Sequence, residues 1–266
     1  MSNPATAVFV HGGWHDGWSW HLVRELLDAR GVPSVALDLP MTTLERDAAV
    51  LSAALAEIEG DAIVISHSWG GSVATLGAIG APSVRHLIYI AAVLTEAGHP
   101  SLSPPPSMLI KGRATLRPKV IIETDTTTII DREVSLAAFY HDVEPSLARQ
   151  AASRLRPFQK TGYAVIETDA VAAWRTIPTT YVVCAEDRMV HPDSQREMAA
   201  AAAAAGAEVL EWPSSHSPFL SHPDLVADLV AQRAESAARL TLARRRRTLL
   251  TKADAPDEGG RCSADK

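Results

Sequence analysis

Ser68 is the residue whose surroundings most resemble those of a nucleophile. It stands in Ser66-His67-Ser68-Trp69-Gly70-Gly71, between the apolar run Ala62-Ile63-Val64-Ile65 and the small-residue stretch Ser72-Val73-Ala74-Thr75-Leu76-Gly77-Ala78. An apolar run, a sharp turn and a small-residue helix form a strand–turn–helix whose central residue is strained and whose neighbours must be small. The strain lifts the serine oxygen clear of the sheet, and the helix N-terminus beneath it favours negative charge. The pattern departs from G-x-S-x-G at Ser66, the next smallest polar choice. The competing reading is a plain loop in which Ser68 only caps the helix.

A serine hydroxyl becomes nucleophilic when a histidine takes its proton, and that histidine needs an acid to fix its tautomer. After an elbow of this kind the chain order is serine, acid, histidine. Thr179-Thr180-Tyr181-Val182-Val183-Cys184-Ala185 reads as a buried strand that ends in Glu186-Asp187. A second strand, Glu208 to Trp212, ends in Pro213-Ser214-Ser215-His216. Both ends fall where ligand sites of parallel sheets collect. Asp187 is the expected acid, with Glu186 as the alternative, and His216 is the expected base among ten histidines.

The oxyanion of such a reaction needs two backbone N–H donors. One is that of Trp69, directly after the nucleophile. The other is expected from Gly13, in the loop His11-Gly12-Gly13-Trp14-His15-Asp16-Gly17-Trp18 that follows the first strand. Gly12 and Gly13 let the backbone approach a reacting carbonyl without a side chain in the way. His11 reads as a brace for this loop, and His15 and His67 as support or pocket residues rather than proton carriers.

Apolar runs that could position these groups fall near 6–11, 33–38, 61–67, 85–92, 179–185 and 208–212. Helical stretches fall near 19–30, 43–59, 69–80, 192–205 and 223–239. This alternation predicts an α/β domain over 1–240, with a mostly parallel sheet and helices on both faces. The rhythm breaks between about 94 and 173, an insertion too long for a plain connection. It opens on the turn-rich Ser101–Pro106 and contains a helix expected over Ser146–Arg156. Phe139, Tyr140 and Phe158 within it, with Gly12, Trp14 and His67, are candidate substrate contacts; the competing reading for the aromatics is plain core. Residues 241–266, with the run Arg244–Arg247, read as a solvated, disordered tail.

The bulk properties narrow the function. A length of 266 residues supports one sizeable core, and 47% hydrophobic with 21% charged residues is ordinary for a globular enzyme. A net charge of −6 and a pI near 5.9 argue against nucleic-acid binding. No apolar run approaches the roughly 20 residues of a membrane helix. The first strand begins almost at once, which leaves no room for a signal peptide and makes a cytoplasmic location the default. Cys184 and Cys262 form no framework, no Cys/His spacing suggests a metal, and no glycine-rich phosphate loop suggests a cofactor. The expected partner is a small molecule, with a homodimer left open.

Together, Val10–Trp18, Ala36-Leu37-Asp38-Leu39-Pro40, the Ser68 turn and the Asp187 and His216 segments resemble the α/β-hydrolase superfamily. More narrowly they resemble its small esterase and hydroxynitrile-lyase branch, which includes plant methylesterases of the salicylate-binding type. The resemblance spans residues 6 to about 235. It implies an α/β-hydrolase fold in which the insertion is a helical cap over the serine that decides the substrate. In the lyase members a threonine follows the histidine of the first loop, and a lysine that stabilises departing cyanide follows the catalytic histidine. Here those positions are Gly12 and Ser217. The resemblance therefore implies ester hydrolysis through an acyl-enzyme on Ser68, without cofactor or metal, on small to medium apolar substrates. The alternatives are cofactor-free lyase or other carbon-acid chemistry with His216 as base, and a ligand-binding protein that keeps a hydrolase shell.

Overall fold

The computed structural model describes residues 4–96, 121–159 and 170–253, the last ten of these as backbone only. Six parallel strands form the central sheet: β1 (Thr6–Val10), β2 (Ser34–Ala36), β3 (Ala62–His67), β4 (Val84–Ile90), β8 (Thr179–Cys184) and β9 (Glu208–Trp212), in the order β2-β1-β3-β4-β8-β9. β3 and β8 are buried at every position. That is why they read as unbroken apolar runs rather than alternating ones. The register pairs Val8 with Val64 and Ile65 with Ile88, so β-branched side chains stack across the middle of the sheet.

Helices flank this sheet. α1 (His21–Asp28) packs with the long C-terminal helix, α8 (Pro223–Ala253), and α2 (Leu44–Ala56) packs with α3 (Gly70–Gly77). α6 (Pro192–Ala204) lies against β8 and β9, and the short α7 (Pro218–Ser221) joins α8. The strand order reverses between β1 and β3, which places the loops after these two strands side by side at a ligand-binding edge. Among the described residues no helix is long and apolar enough to cross a membrane.

The insertion between β4 and β8 differs from a purely helical expectation. It carries α4 (Arg132–Phe139) and α5 (Pro145–Ser153), but also an antiparallel sheet of β5 (Ile121–Glu123), β6 (Thr127–Ile130) and β7 (Phe158–Gln159). Asp131 caps α4 through Val134 N, and Glu144 caps α5 through Ser146 N and Leu147 N. Strands this short show no readable period, and β7 pairs with residues some thirty positions upstream. The helix expected to reach Arg156 stops at Ser153, where the chain turns towards β7. The Ser101–Pro106 stretch lies outside the described residues.

A second difference is at the C-terminus. The tail was expected from residue 241, yet the α8 backbone continues to Ala253, through Arg244–Arg247. Leucine, alanine and arginine are all good helix formers, and no proline interrupts them before Pro256. Residues 254–266 lie outside the described residues.

α3 sits very close to the sheet. A Cβ on Gly71 would lie 2.3 Å from Val93 O and 2.9 Å from Val93 N. Both are backbone atoms and cannot swing away. Gly71→Ala is therefore expected to destabilise the fold by at least the ~1–3 kcal/mol typical of overpacking, read as a lower urea midpoint. An unchanged midpoint would contradict this close contact.

Candidate active site

Ser68 occupies the turn between β3 and α3 with φ +49°, in the left-handed region that L-residues rarely adopt. Three backbone hydrogen bonds hold it there. Its N–H donates to Ile90 O (3.3 Å), and its carbonyl accepts from Val93 N (2.9 Å) and Gly71 N (3.0 Å). Gly70 is as constrained as its neighbour, since a Cβ there would meet Val10 O at 2.5 Å. Ser66, which stands where the elbow pattern has glycine, donates its hydroxyl to Ile88 O (3.1 Å) on the neighbouring strand. Between Ala62 and Thr75, only Ser68 is not buried. The turn thus brings one hydroxyl to the surface of an otherwise closed core.

Asp187 follows β8 and His216 follows β9, and the structure brings the two together. His216 Nδ1 donates to Asp187 Oδ2 at 2.5 Å, with both side chains buried. Asp187 Oδ1 accepts from Met189 N (2.7 Å) and Val190 N (2.9 Å), and Oδ2 also accepts from Gln195 Nε2 (2.7 Å). These bonds fix the carboxylate, which in turn keeps the His216 proton on Nδ1 and leaves the lone pair on Nε2. Glu186, the alternative acid, is exposed, and its carbonyl accepts from His141 Nε2. Gln195 was not anticipated. It is fully buried on α6, donates to Asp187 and to Val190 O (2.8 Å), and accepts from Cys184 N (2.9 Å). Nothing in its type or spacing separates it from an exposed helical glutamine.

His67 ties the strand before Ser68 to the His216 segment. Its Nε2 donates to His216 O (2.8 Å), and the two rings lie 4.5 Å apart. The same loop is held from the insertion, where Asp142 Oδ2 accepts from Ser215 N (2.8 Å) and Phe139 O accepts from Ser215 Oγ (2.9 Å). Phe139 also stacks on His216 at 5.5 Å.

The loop after β1 closes over the serine. A Cβ on Gly12 would lie 3.1 Å from Ser68 Cβ, and one on Gly13 would lie 3.7 Å from Trp69 Cβ. His11 braces this loop as expected, with Nδ1 donating to Gly12 O (2.8 Å) and Nε2 accepting from Leu39 N (3.0 Å). Asp38 adds a second brace by accepting from Gly17 N (2.8 Å). In a trans peptide the C=O and N–H point opposite ways, so turning Gly12 O towards His11 turns Gly13 N–H away from it. Among the described residues neither Gly13 N–H nor Trp69 N–H has an acceptor.

Trp14, Phe139, Tyr140 and Phe158 all reach this region, each at most 5% exposed. Trp14 Nε1 donates to Thr128 Oγ1 (3.1 Å), and its ring meets Phe158 edge-on at 5.8 Å. Phe158 lies 5.0 Å from the Trp69 ring. Trp69 is pinned in turn by Asp47, whose Oδ2 accepts from the indole (2.9 Å) and whose Oδ1 accepts from Met41 N (2.9 Å). Burial raises the Asp47 pKa, although these donors oppose the shift. The sequence offered no sign of this contact.

Burial also sorts the histidines. It pushes His11 down to about 4 and His15 down to about 3, and holds His67 well below 6.5 with help from the neighbouring His216 and His15. All three are neutral connectors at pH 7. Among the described residues no group of His, Cys, Asp and Glu could hold a metal ion.

Residues 7–229 match the sequence profile described as the alpha/beta hydrolase family. The chain belongs to that family. It is 27% identical to methylesterase 7 of Arabidopsis thaliana, over 89% of this chain and 99% of that one. It is 26% identical to a pyrethroid hydrolase of Sphingobium wenxiniae, over 87% and 88% of the two chains. The crystal structure of a pyrethroid hydrolase from Sphingobium faniae superposes with a TM-score of 0.73 at 24% identity, covering 88% of this chain and 99% of that one.

The neutral histidines have a consequence for stability. In the unfolded chain each takes up a proton below its ordinary value of 6.5; in the folded protein His11 and His15 do so only near 4 and 3. The unfolded state therefore binds more protons between these limits, and stability falls as pH drops through that window. The expected loss is about 1.4 kcal/mol per pH unit for each such histidine. Urea titrations at neutral pH and near pH 5 measure it, and equal midpoints would contradict neutral burial.

Proposed function

We propose that the protein is a serine hydrolase that cleaves carboxylic esters. The observation that carries this is the bond from His216 Nδ1 to Asp187, made at the strand ends of the same sheet whose β3–α3 turn holds Ser68 at φ +49°. Ser68 Oγ attacks the ester carbonyl while His216 Nε2 takes its proton. Asp187 orients the imidazole and stabilises the imidazolium. The oxyanion accepts from Gly13 N–H and Trp69 N–H. As the C–O bond breaks, His216 returns its proton to the leaving alcohol, and the acyl group stays on Ser68. Water, deprotonated by the same histidine, attacks the acyl-enzyme and releases the acid.

The insertion serves as the cap. Phe139 stands at His216 and Phe158 at the Gly13–Trp69 side, so the walls are apolar and fit small to medium apolar acyl or alcohol groups. The names of the methylesterase and pyrethroid hydrolase relatives support ester chemistry.

Hydroxynitrile-lyase chemistry is disfavoured on two counts. A Cβ at Gly12 would lie 2.7 Å from His67 Nδ1, so the space for a threonine side chain is already taken. Ser217 is fully buried and brings no positive charge for a leaving cyanide. An intact Asp187–His216 pair, together with an elbow serine, counts against a binding-only shell.

Intact-protein mass after fluorophosphonate treatment, beside turnover of short-chain nitrophenyl esters, tests this reading. Wild type should gain one label. Ser68→Ala should gain none and lose roughly 10³-fold or more in kcat, and Asp187→Asn should fall by a comparable factor with its fold intact. Full turnover in Ser68→Ala would overturn the proposal. A Gly12→Thr variant should be impaired through displacement of His67, read as lower kcat and a lower urea midpoint; wild-type values for both would refute the crowding argument.

A further inference from the structure

Trp14 is a second residue held in the left-handed region, with φ +64°. It is the third residue of the turn Gly12–His15, a position that normally calls for glycine. The turn's own hydrogen bond, His15 N to Gly12 O, is long at 3.3 Å. Two shorter bonds hold the conformation instead. Arg156 N donates to Trp14 O (2.7 Å), and His15 Nδ1 contacts Gly13 O (2.7 Å).

The bonding partners fix where the His15 proton lies. A carbonyl oxygen can only accept, so Nδ1 must carry the hydrogen. The ring is neutral, which leaves a lone pair on Nε2. Tyr140 Oη sits 2.9 Å from Nε2, so the tyrosine hydroxyl is the donor. In the other tautomer, two lone pairs would face each other at 2.7 Å across Nδ1 and Gly13 O. Tyr140 ends α4, in the insertion, and is only 1% exposed, so its hydroxyl is turned into the protein. His15 is enclosed by the rings of His67, Phe139, Tyr140 and Phe219, and among the described residues no other side chain competes for its Nε2.

From this we infer that Tyr140 and His15 are a positioning pair, through which the docked insertion sets the peptide geometry of the Gly12–Trp14 loop and with it the oxyanion donor at Gly13. The inference rests on the esterase reading above. Tyr140 selects the His15 tautomer, His15 holds Gly13 O, and the two peptides flanking Gly13 can then turn neither way. The donor loop is fully formed only when the insertion is seated. Tyr140 is accordingly a positioning residue rather than a pocket wall.

The test compares wild type, Tyr140→Phe, His15→Asn and the double variant in ester kinetics. Long-range proton–nitrogen NMR of the imidazoles reports the His15 tautomer. An N–H aimed at developing charge contributes to the transition state far more than to substrate binding. Tyr140→Phe should therefore lower kcat roughly ten- to a hundredfold with KM within about twofold, less than the 10²–10³ of a deleted donor. Its His15 signals should shift away from a single Nδ1–H form. Asparagine can still donate to Gly13 O but has no ring nitrogen for Tyr140, so removing the hydroxyl on the His15→Asn background should change nothing further.

Wild-type kcat with unchanged His15 signals in Tyr140→Phe would overturn the inference. So would a loss confined to KM, which would make Tyr140 a pocket wall after all, or equal losses on both backgrounds. A wild type that neither turns over esters nor takes the fluorophosphonate would overturn the esterase reading itself. An active wild type with an indifferent Tyr140→Phe isolates the failure to this inference.

Discussion

The chain can turn from β3 into α3 at Ser68 only because Gly70 and Gly71 let the helix touch the backbone of β1 and of the segment after β4. A left-handed serine costs of order 1–3 kcal/mol, and it persists because the surrounding hydrogen bonds leave no alternative. Once that turn is fixed, the rest of the site has its coordinates. The hydroxyl faces out, Trp69 N–H opens the first turn of the helix, and His67 is carried inward to meet the His216 loop.

Four histidines converge here, and burial divides their labour. His11, His15 and His67 are neutral and spend their ring nitrogens on holding backbone: His11 and His15 the loop after β1, and His67 the segment that carries His216. Of the four, His216 alone is paired with a carboxylate. The insertion reaches the same two segments through Tyr140, Asp142, Phe139 and Arg156. On the esterase reading proposed above, substrate selection and the geometry of the reacting groups are therefore mechanically joined, and a change in the insertion should register in turnover as well as in affinity.

Much of this was legible in the sequence, for definable reasons. Strands buried on both faces leave continuous apolar runs, so the central sheet could be placed from its composition. The positions of Ser68 and Asp187 followed because each closely follows such a run. That of His216 followed from the short strand β9, which is exposed or half-buried and is marked by Val209, Leu210 and Trp212 rather than by a continuous apolar run. What stayed hidden depends on contacts between distant residues. The three strands of the insertion are too short to carry a period. Gln195 and Asp47 look like ordinary surface residues of their helices until the fold turns them towards Asp187 and Trp69. His67 could be singled out but not explained, because its partner is a backbone carbonyl 149 positions away. The length of α8 was underestimated because an arginine run reads equally well as helix or as solvated tail.

The central claim is that the reaction passes through an ester of Ser68. Rapid-quench mass spectrometry during turnover of a nitrophenyl ester tests it most directly, because it follows the covalent species itself. The expected result is a transient mass increase equal to the acyl group, mapped to the peptide containing Ser68 and decaying as substrate is exhausted. Turnover at full rate with no adduct on that peptide, under conditions where deacylation is slowed, would contradict it.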